Sequence, residues 1–203
     1  LVCPQTNNPE PTCRRHEGTD PMDPTPPPEG LSLIDCTEEA HAAAILEILN
    51  EAIVNSTALY DYVPRPQQAM AGWFAAKRPN AFPVARAVDG GGRLAGFASW
   101  GTFRAFPAYK YTVEHSVYVH RDFRGRGLGQ YLLLELVRRA RSAQVHVLVG
   151  CIDASNAASI ALHRRLGFEH CGTFRQVGFK FGGWLDAAFY QLNLAGPEHP
   201  VDG

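Results

Sequence analysis

The sequence predicts an α/β (α+β) domain: a mixed, mostly antiparallel sheet flanked by helices. Three observations carry this. Strand-like and helix-like runs follow the order β-α-α-β-β-β-α-β-α-β-β across residues 31–194. Asp89-Gly90-Gly91-Gly92 joins two strand-like runs as a hairpin turn does. The run Arg124-Gly125-Arg126-Gly127-Leu128-Gly129 lies between an alternating strand and an amphipathic helix.

Leu31 to Asp35 alternates as a first strand. Thr37 then caps a helix whose first turn holds Glu38 and Glu39. Its apolar positions, Ala42, Ile45, Leu46, Leu49 and Ile53, recur at three- and four-residue steps. A second helix is expected over 66–77, with Met70, Trp73 and Phe74 on one face. Strands follow from Phe82 to Val88 and from Leu94 to Trp100, then an aromatic and basic loop over 101–110. A strand over 111–119 leads through the glycine turn to a helix over 128–142. Val145 to Val149 reads as a strand buried on both faces. Ser155 is the expected cap of a helix through Leu166, which Gly167 ends. Strands over about 168–177 and 184–194 close the chain around Gly182-Gly183. Trp73, Trp100 and Trp184 read as core or partner-contact aromatics.

The chain has 203 residues, enough for one domain with a sizeable core, and 45% of them are apolar. A formal net charge of −1 supplies no global field that would recruit nucleic acid or an acidic membrane. No apolar run approaches the ~20 residues that span a bilayer. No charged head precedes an apolar segment at the N-terminus, so no secretory signal is expected. Five scattered cysteines, Cys3, Cys13, Cys36, Cys151 and Cys171, form no C-x-x-C pair and read as reduced thiols of a cytoplasmic protein. Residues 1–30 are rich in proline, from Pro4 to Pro28, and poor in apolar side chains. They are expected to form a disordered leader, with Met22 as a candidate translation start. The folded domain then spans 31–194 and a tail covers 195–203.

The glycine turn suits a pyrophosphate, because glycines let the backbone approach a ligand and the following helix turns its N–H groups outward. A tight strand-to-helix connection fits the same residues. The run lacks the Gly-Lys-Ser/Thr of a P-loop, and its G-x-G-x-G spacing is not the dinucleotide G-x-G-x-x-G. Arg124 and Arg126 flank it and can pair with phosphate oxygens. Glu114 stands in an otherwise apolar and small-polar strand, where a carboxylate is costly; on composition alone, a charge on a solvated face is the favoured reading of the alternation. The histidines show no metal-ligand spacing, and no metal site is expected.

The runs Tyr111 to Val119, Arg124 to Gly129, Asn156 to Ile160, Leu162-His163-Arg164-Arg165-Leu166-Gly167-Phe168 and Lys180-Phe181-Gly182-Gly183-Trp184-Leu185-Asp186 resemble the GNAT acyltransferase superfamily. Within it they look like the phosphinothricin and methionine sulfoximine N-acetyltransferases, over about residues 31–194. The resemblance implies the GNAT fold and acetyl transfer from acetyl-CoA to the α-amine of a small amino acid or analogue.

It also implies residue roles. Glu114 carries the general base role, and His163 stands where many relatives place a tyrosine that protonates the departing thiolate. The coenzyme segments map onto Val117, Tyr118 and Val119, onto Arg124, Gly125, Arg126, Gly127, Leu128, Gly129 and Gln130, and onto Asn156. The amino-acid pocket maps onto Arg104, Ala105 and Phe106 with Glu114, His115 and Ser116. Similar enzymes are commonly homodimers, and the apolar strand 184–194 suits such a contact. Two alternatives stay open on sequence alone: a related enzyme acting on a polyamine or a protein N-terminus, and a non-catalytic acyl-CoA-binding module.

Overall fold

Thr37 has an extended backbone, and its hydroxyl accepts the Ala40 N–H at 3.4 Å, which sets the start of the first helix. In the computed structural model, which describes residues 26–77 and 84–202, eleven main elements follow the predicted order. They are β1 (Leu31–Asp35), α1 (Glu38–Asn55), α2 (Ala69–Ala75), β2 (Val84–Asp89), β3 (Leu94–Thr102), β4 (Thr112–Val119), α3 (Leu128–Ser142), β5 (Val147–Asp153), α4 (Ala157–Arg165), β6 (Glu169–Lys180) and β7 (Gly183–Asn193). Residues 1–25 of the expected leader, Met22 among them, lie outside the described residues, as do Phe82 and Pro83 of the expected second strand.

The strands form one seven-stranded sheet in the order β1-β2-β3-β4-β5-β7-β6. Every pairing is antiparallel except β4 with β5. Both faces are covered. Leu128, Leu132, Leu133 and Leu136 of α3 pack with Ala98, Val113, Leu148 and Ile152 on one side. Ile45 and Leu49 of α1 and Met70 and Phe74 of α2 pack on Leu94 and Phe97 on the other. Each fully buried aliphatic or aromatic side chain here contributes roughly 1.5–3 kcal/mol of burial free energy.

Several boundaries differ from those the sequence predicts, for local reasons. The second helix starts at Ala69 rather than 66, because hydrogen-bonded turns from Pro66 to Ala69 and Gln67 to Met70 precede it. β5 begins at Val147 rather than Val145: Gln144 takes a left-handed φ of 57°, and the N–H groups of His146 and Val147 both donate to the Tyr111 carbonyl. The cap of α4 is Asn156, whose side chain accepts the Ser159 N–H at 3.0 Å; Ser155 is turned back onto Asp153. β6 runs on to Lys180 through an irregularity between Phe174 and Gly178.

The parallel pairing at the centre of the sheet is short. β4 and β5 pair only over Thr112–Val147, Val113–Leu148 and Glu114–Val149. Beyond that point β4 continues to Val119 along β3, while β5 continues to Asp153 along β7. The sheet therefore splits at Glu114, and two strand edges face each other across a gap.

Candidate active site

The split widens into a cleft of about 760 Å³. Its walls are residues 114–119 of β4, 151–153 of β5, the loop 56–60 after α1, the turn before α3, the first turn of α3 and one face of α4 from Ala158 to Arg165.

At one end lies the glycine turn. Gly125 and Gly127 have φ of +78° and +76°, and a Cβ at either would meet nothing within 4 Å. Glycine is required there by the left-handed backbone, not by crowding. Gly127 is the N-cap of the fifteen-residue α3 and offers no side-chain acceptor. The N–H groups of the first turn are thus left to an external acceptor beside the positive end of the helix dipole. Leu128, Gly129 and Gln130 line the cleft here. Gly129 differs from the other two glycines, since a Cβ on it would meet Leu162 and Val119 at ordinary distances of 3.6 and 3.8 Å.

The two flanking arginines are not free hands at this end. Arg124 lines the cleft, but its guanidinium donates to Glu51 of α1 at 2.6 Å and to the Val119 carbonyl at 3.2 Å. Arg126 lies outside the cleft lining, with its guanidinium 5.4 Å from the Phe123 ring centre. Arg165, given no role by the sequence reading, lines the cleft and reaches Gln130 at 3.3 Å. Asn156 also lines it while its side chain caps α4, so capping and lining coexist in one residue.

At the apex of the split stands Glu114. Strand alternation puts it with Ser116 on the face toward α1, half-buried. Burial raises the pKa of its carboxyl, and the positive charge of Arg104 opposes the rise. A carboxylate so placed takes up a proton more readily than a solvated one. Across the gap, burial and the charge of Glu114 push the Cys151 thiol up to about 11. It stays protonated and is a poor nucleophile.

His115 and His163 occupy the opposite face. Both are buried, with Nε2 atoms 3.2 Å apart. His163 Nδ1 sits 2.7 Å from the Ser159 carbonyl, which only accepts, so this nitrogen carries the proton. His163 Nε2 therefore accepts from His115 Nε2–H, and His115 Nδ1 is left without a partner. Burial lowers both pKa values, that of His115 to about 3 with the neighbouring His163 adding to the effect. The pair is neutral, and the single ring proton of His163 is committed to Ser159. That geometry does not supply a ready acid.

The expected amino-acid pocket comes together only in part. Glu114, His115 and Ser116 all line the cleft, as does His163, with the His115 ring packed against His163 and Phe168. Arg104, Ala105 and Phe106 lie outside the lining. Arg104 is exposed, stacks 4.4 Å over the Phe103 ring and donates to the Phe103 carbonyl at 2.9 Å. The facing wall is built instead from Tyr60, Cys151 and Asp153, none of which the sequence singled out for the site. Gly150, an unexplained glycine inside an apolar strand, was a usable sign of close approach: a Cβ there would lie 2.6 Å from His115 Cε1. Among the described residues, no group of three or more His, Cys, Asp or Glu side chains could hold a metal ion, and no helix is long and apolar enough to cross a membrane.

Comparison with known proteins bears on the same elements. The model of the acetyltransferase (GNAT) family matches residues 43–168. The L-methionine sulfoximine/L-methionine sulfone acetyltransferase of Pseudomonas paraeruginosa is 48% identical over 155 residues, 76% of this chain and 90% of that protein. A phosphinothricin N-acetyltransferase of Alcaligenes faecalis is more distant, at 34% identity over 74% of this chain and 77% of the relative. The solved structure of a putative acetyltransferase from Acinetobacter baylyi superposes with a TM-score of 0.84 at 64% identity, covering 85% of this chain and 98% of that one. A Salmonella typhimurium putative acetyltransferase solved with acetyl-CoA gives 0.79 at 39% identity, covering 86% and 98%.

Proposed function

The chain belongs to the acetyltransferase (GNAT) family, and from that premise we propose that it moves an acetyl group from acetyl-CoA to the α-amine of a small amino acid or analogue. Methionine sulfoximine, methionine sulfone and phosphinothricin define the analogue class, through the names of the relatives. The observation that carries the reading is the split sheet with Glu114 at its apex and the left-handed Gly125–Gly127 turn at its mouth.

The residues present fit the co-substrate. The turn and the first N–H groups of α3 form a cradle for the pyrophosphate, with Leu128, Gly129 and Gln130 beside it. The edge of β4 from Val117 through Tyr118 to Val119, unpaired by β5, lies where a pantetheine amide would run, with Asn156 opposite. Acetyl-CoA supplies the activated acyl group. The chain positions the amine and removes its proton.

Glu114 is the general base, directly or through one water. The ammonium proton passes to its carboxylate, the freed amine lone pair forms the new C–N bond, the C–S bond breaks, the nitrogen releases its second proton to solvent to become the amide, and the thiolate takes a proton. The high pKa of Cys151 argues for direct transfer rather than an acyl-cysteine step. With its proton spent on Ser159, His163 holds the strand junction in shape, and solvent is the simpler source of the thiolate's proton. Arg104 acts from the rim, through its charge.

We place the homodimer contact on the exposed aromatics of the last hairpin, Phe174, Phe179, Phe181 and Trp184, and the protein in the cytoplasm, where Cys151 and Cys171 stay reduced. A thiol-release assay with acetyl-CoA and each of the three analogues tests the activity. Release with at least one of them, absent in Glu114→Gln, is expected. No release from folded protein that binds coenzyme A would refute the substrate class, and size-exclusion with light scattering decides the dimer.

A further inference from the structure

Lys180 ends β6, inside the Lys180–Asp186 run that the proposed chemistry leaves without a role. It is 4% exposed. Its Nζ donates to the carbonyls of Ile53 at 2.6 Å, Ser56 at 2.8 Å and Leu59 at 2.6 Å. Three acceptors around one nitrogen call for three N–H groups, so the side chain is the ammonium. Ile53 belongs to the last turn of α1, which contains no basic residue of its own. The final carbonyls of a helix lack intrahelical partners and carry the negative end of its dipole. Lys180 arrives from 127 residues downstream to satisfy them.

Two further contacts lie beside it. Tyr62 Oη donates to the Phe179 carbonyl at 2.7 Å. Gly178 offers bare backbone to the Tyr60 ring: a Cβ there would fall 2.7 Å from ring carbon Cε2. Residues 178–180 thus fasten residues 53–62. The fastened stretch includes Ser56, Thr57, Ala58, Leu59 and Tyr60, which line the cleft opposite Glu114. Burial, and after it the nearby charge of Asp153, raise the pKa of the Tyr60 phenol.

We infer that Lys180 is a positioning residue for the amino-acid half of the cleft. It sets the wall formed by residues 56–60, and thereby selectivity for the amine, without touching either substrate. This rests on the proposed function, which decides which end of the cleft takes which substrate. Because the glycine turn is held by Arg124 and Glu51 instead, loss of Lys180 acts on one substrate only.

The test uses the full chain as Lys180→Met and, separately, Tyr62→Phe, which deletes one exposed hydroxyl and spares the fold. Steady-state kinetics with acetyl-CoA and methionine sulfoximine are paired with amide hydrogen exchange. Lys180→Met is expected to raise the methionine sulfoximine KM at least ~10-fold, since hydrogen bonds to a charged group are lost, with the acetyl-CoA KM within about twofold. Exchange of residues 56–62 accelerates while β5 and β7 stay protected. Tyr62→Phe shows the same pattern at roughly threefold, and decides the matter should Lys180→Met fail to fold. Equal shifts in both KM values, or unchanged exchange over 56–62, overturn the inference. A wild type inactive on every amine refutes the proposed function instead, and the exchange readout then decides the clamp alone.

Discussion

His115 on β4 and His163 on α4 meet nitrogen to nitrogen, 3.2 Å apart, at the point where β4 and β5 part. Both are buried and neutral, so the pair links stability to pH. The unfolded chain takes up protons at each histidine near pH 6.5, whereas burial holds the folded values lower, to about 3 for His115. The stabilisation is complete above the unfolded value and is lost as pH falls from about 6.5. Each group steepens the loss by up to roughly 1.4 kcal/mol per pH unit. Urea unfolding from pH 7.5 to pH 5 should show a shallower decline in His115→Gln than in the wild type. Parallel curves would rule out the neutral pair.

Gly150 makes room for that pair. A Cβ there would lie 2.6 Å from His115 Cε1 and 3.1 Å from His163 Nε2, in a region where backbone and rings are all packed. Gly150→Ala is expected to cost roughly 1–3 kcal/mol as an overpacked core. A denaturation midpoint equal to wild type would show that the rings move aside freely.

On the proposed function, Glu114 sets activity against stability. Burial raises its pKa, so the fold pays to keep it ionised at neutral pH. Its unfavourable contribution vanishes below the unfolded value near 4.3 and grows as pH rises through the folded one. Glu114→Gln should therefore melt higher than wild type at pH 8, gain nothing at pH 4, and lose roughly 10²–10⁴ in kcat. In the wild type, kcat/KM should fall with acid through a pKa above the ordinary carboxylate range. Normal turnover by the glutamine variant would remove Glu114 from the chemistry.

Much of the fold is legible in the chain, because it rests on local rules. The 3.6-residue period of α1 and α3, the Thr37 cap and the Asp89–Gly92 hairpin each depend on neighbouring residues. The element order and the glycine turn follow from them. The sequence misplaces the cap of α4 by one residue, since Ser155 and Asn156 have equal propensity and only the Asp153 carboxylate, which binds Ser155, breaks the tie. What cannot be read is long-range. Nothing near Lys180 announces three carbonyls more than a hundred residues away. Nothing near Arg124 announces Glu51. The resemblance implies a pocket role for Arg104, whereas the structure stacks it on a neighbouring aromatic outside the cleft, as its residues taken alone favour.

The glycines of the turn should separate by position. Gly127 holds a φ of +76°, so Gly127→Ala costs roughly 1–2 kcal/mol locally and distorts the first turn of α3. A rise of tenfold or more in the acetyl-CoA KM is expected, with the amino-acid KM little changed. Gly129 is helical, and its Cβ would make ordinary contacts at 3.6 and 3.8 Å, so Gly129→Ala should be near neutral. Kinetics in which Gly129→Ala is the worse variant would place the pyrophosphate further along α3.

Arg104 acts at a distance, and its removal should read out on two axes. Its positive charge favours the Glu114 carboxylate and partly offsets burial. Without it the carboxylate is less stabilised, the Glu114 pKa climbs, and the acid limb of kcat/KM moves to higher pH. On the proposed function, loss of the same charge also weakens attraction for the substrate carboxylate, so the amino-acid KM should rise more than the acetyl-CoA KM. Because Arg104 is exposed, the pH displacement shrinks as salt rises and is best measured at low ionic strength. Arg104→Lys retains the charge and should hold the limb near its wild-type position while restoring only part of the binding. An acid limb indifferent to Arg104→Ala would cut the electrostatic link to Glu114, and a larger effect on acetyl-CoA would move Arg104 to the other end of the cleft.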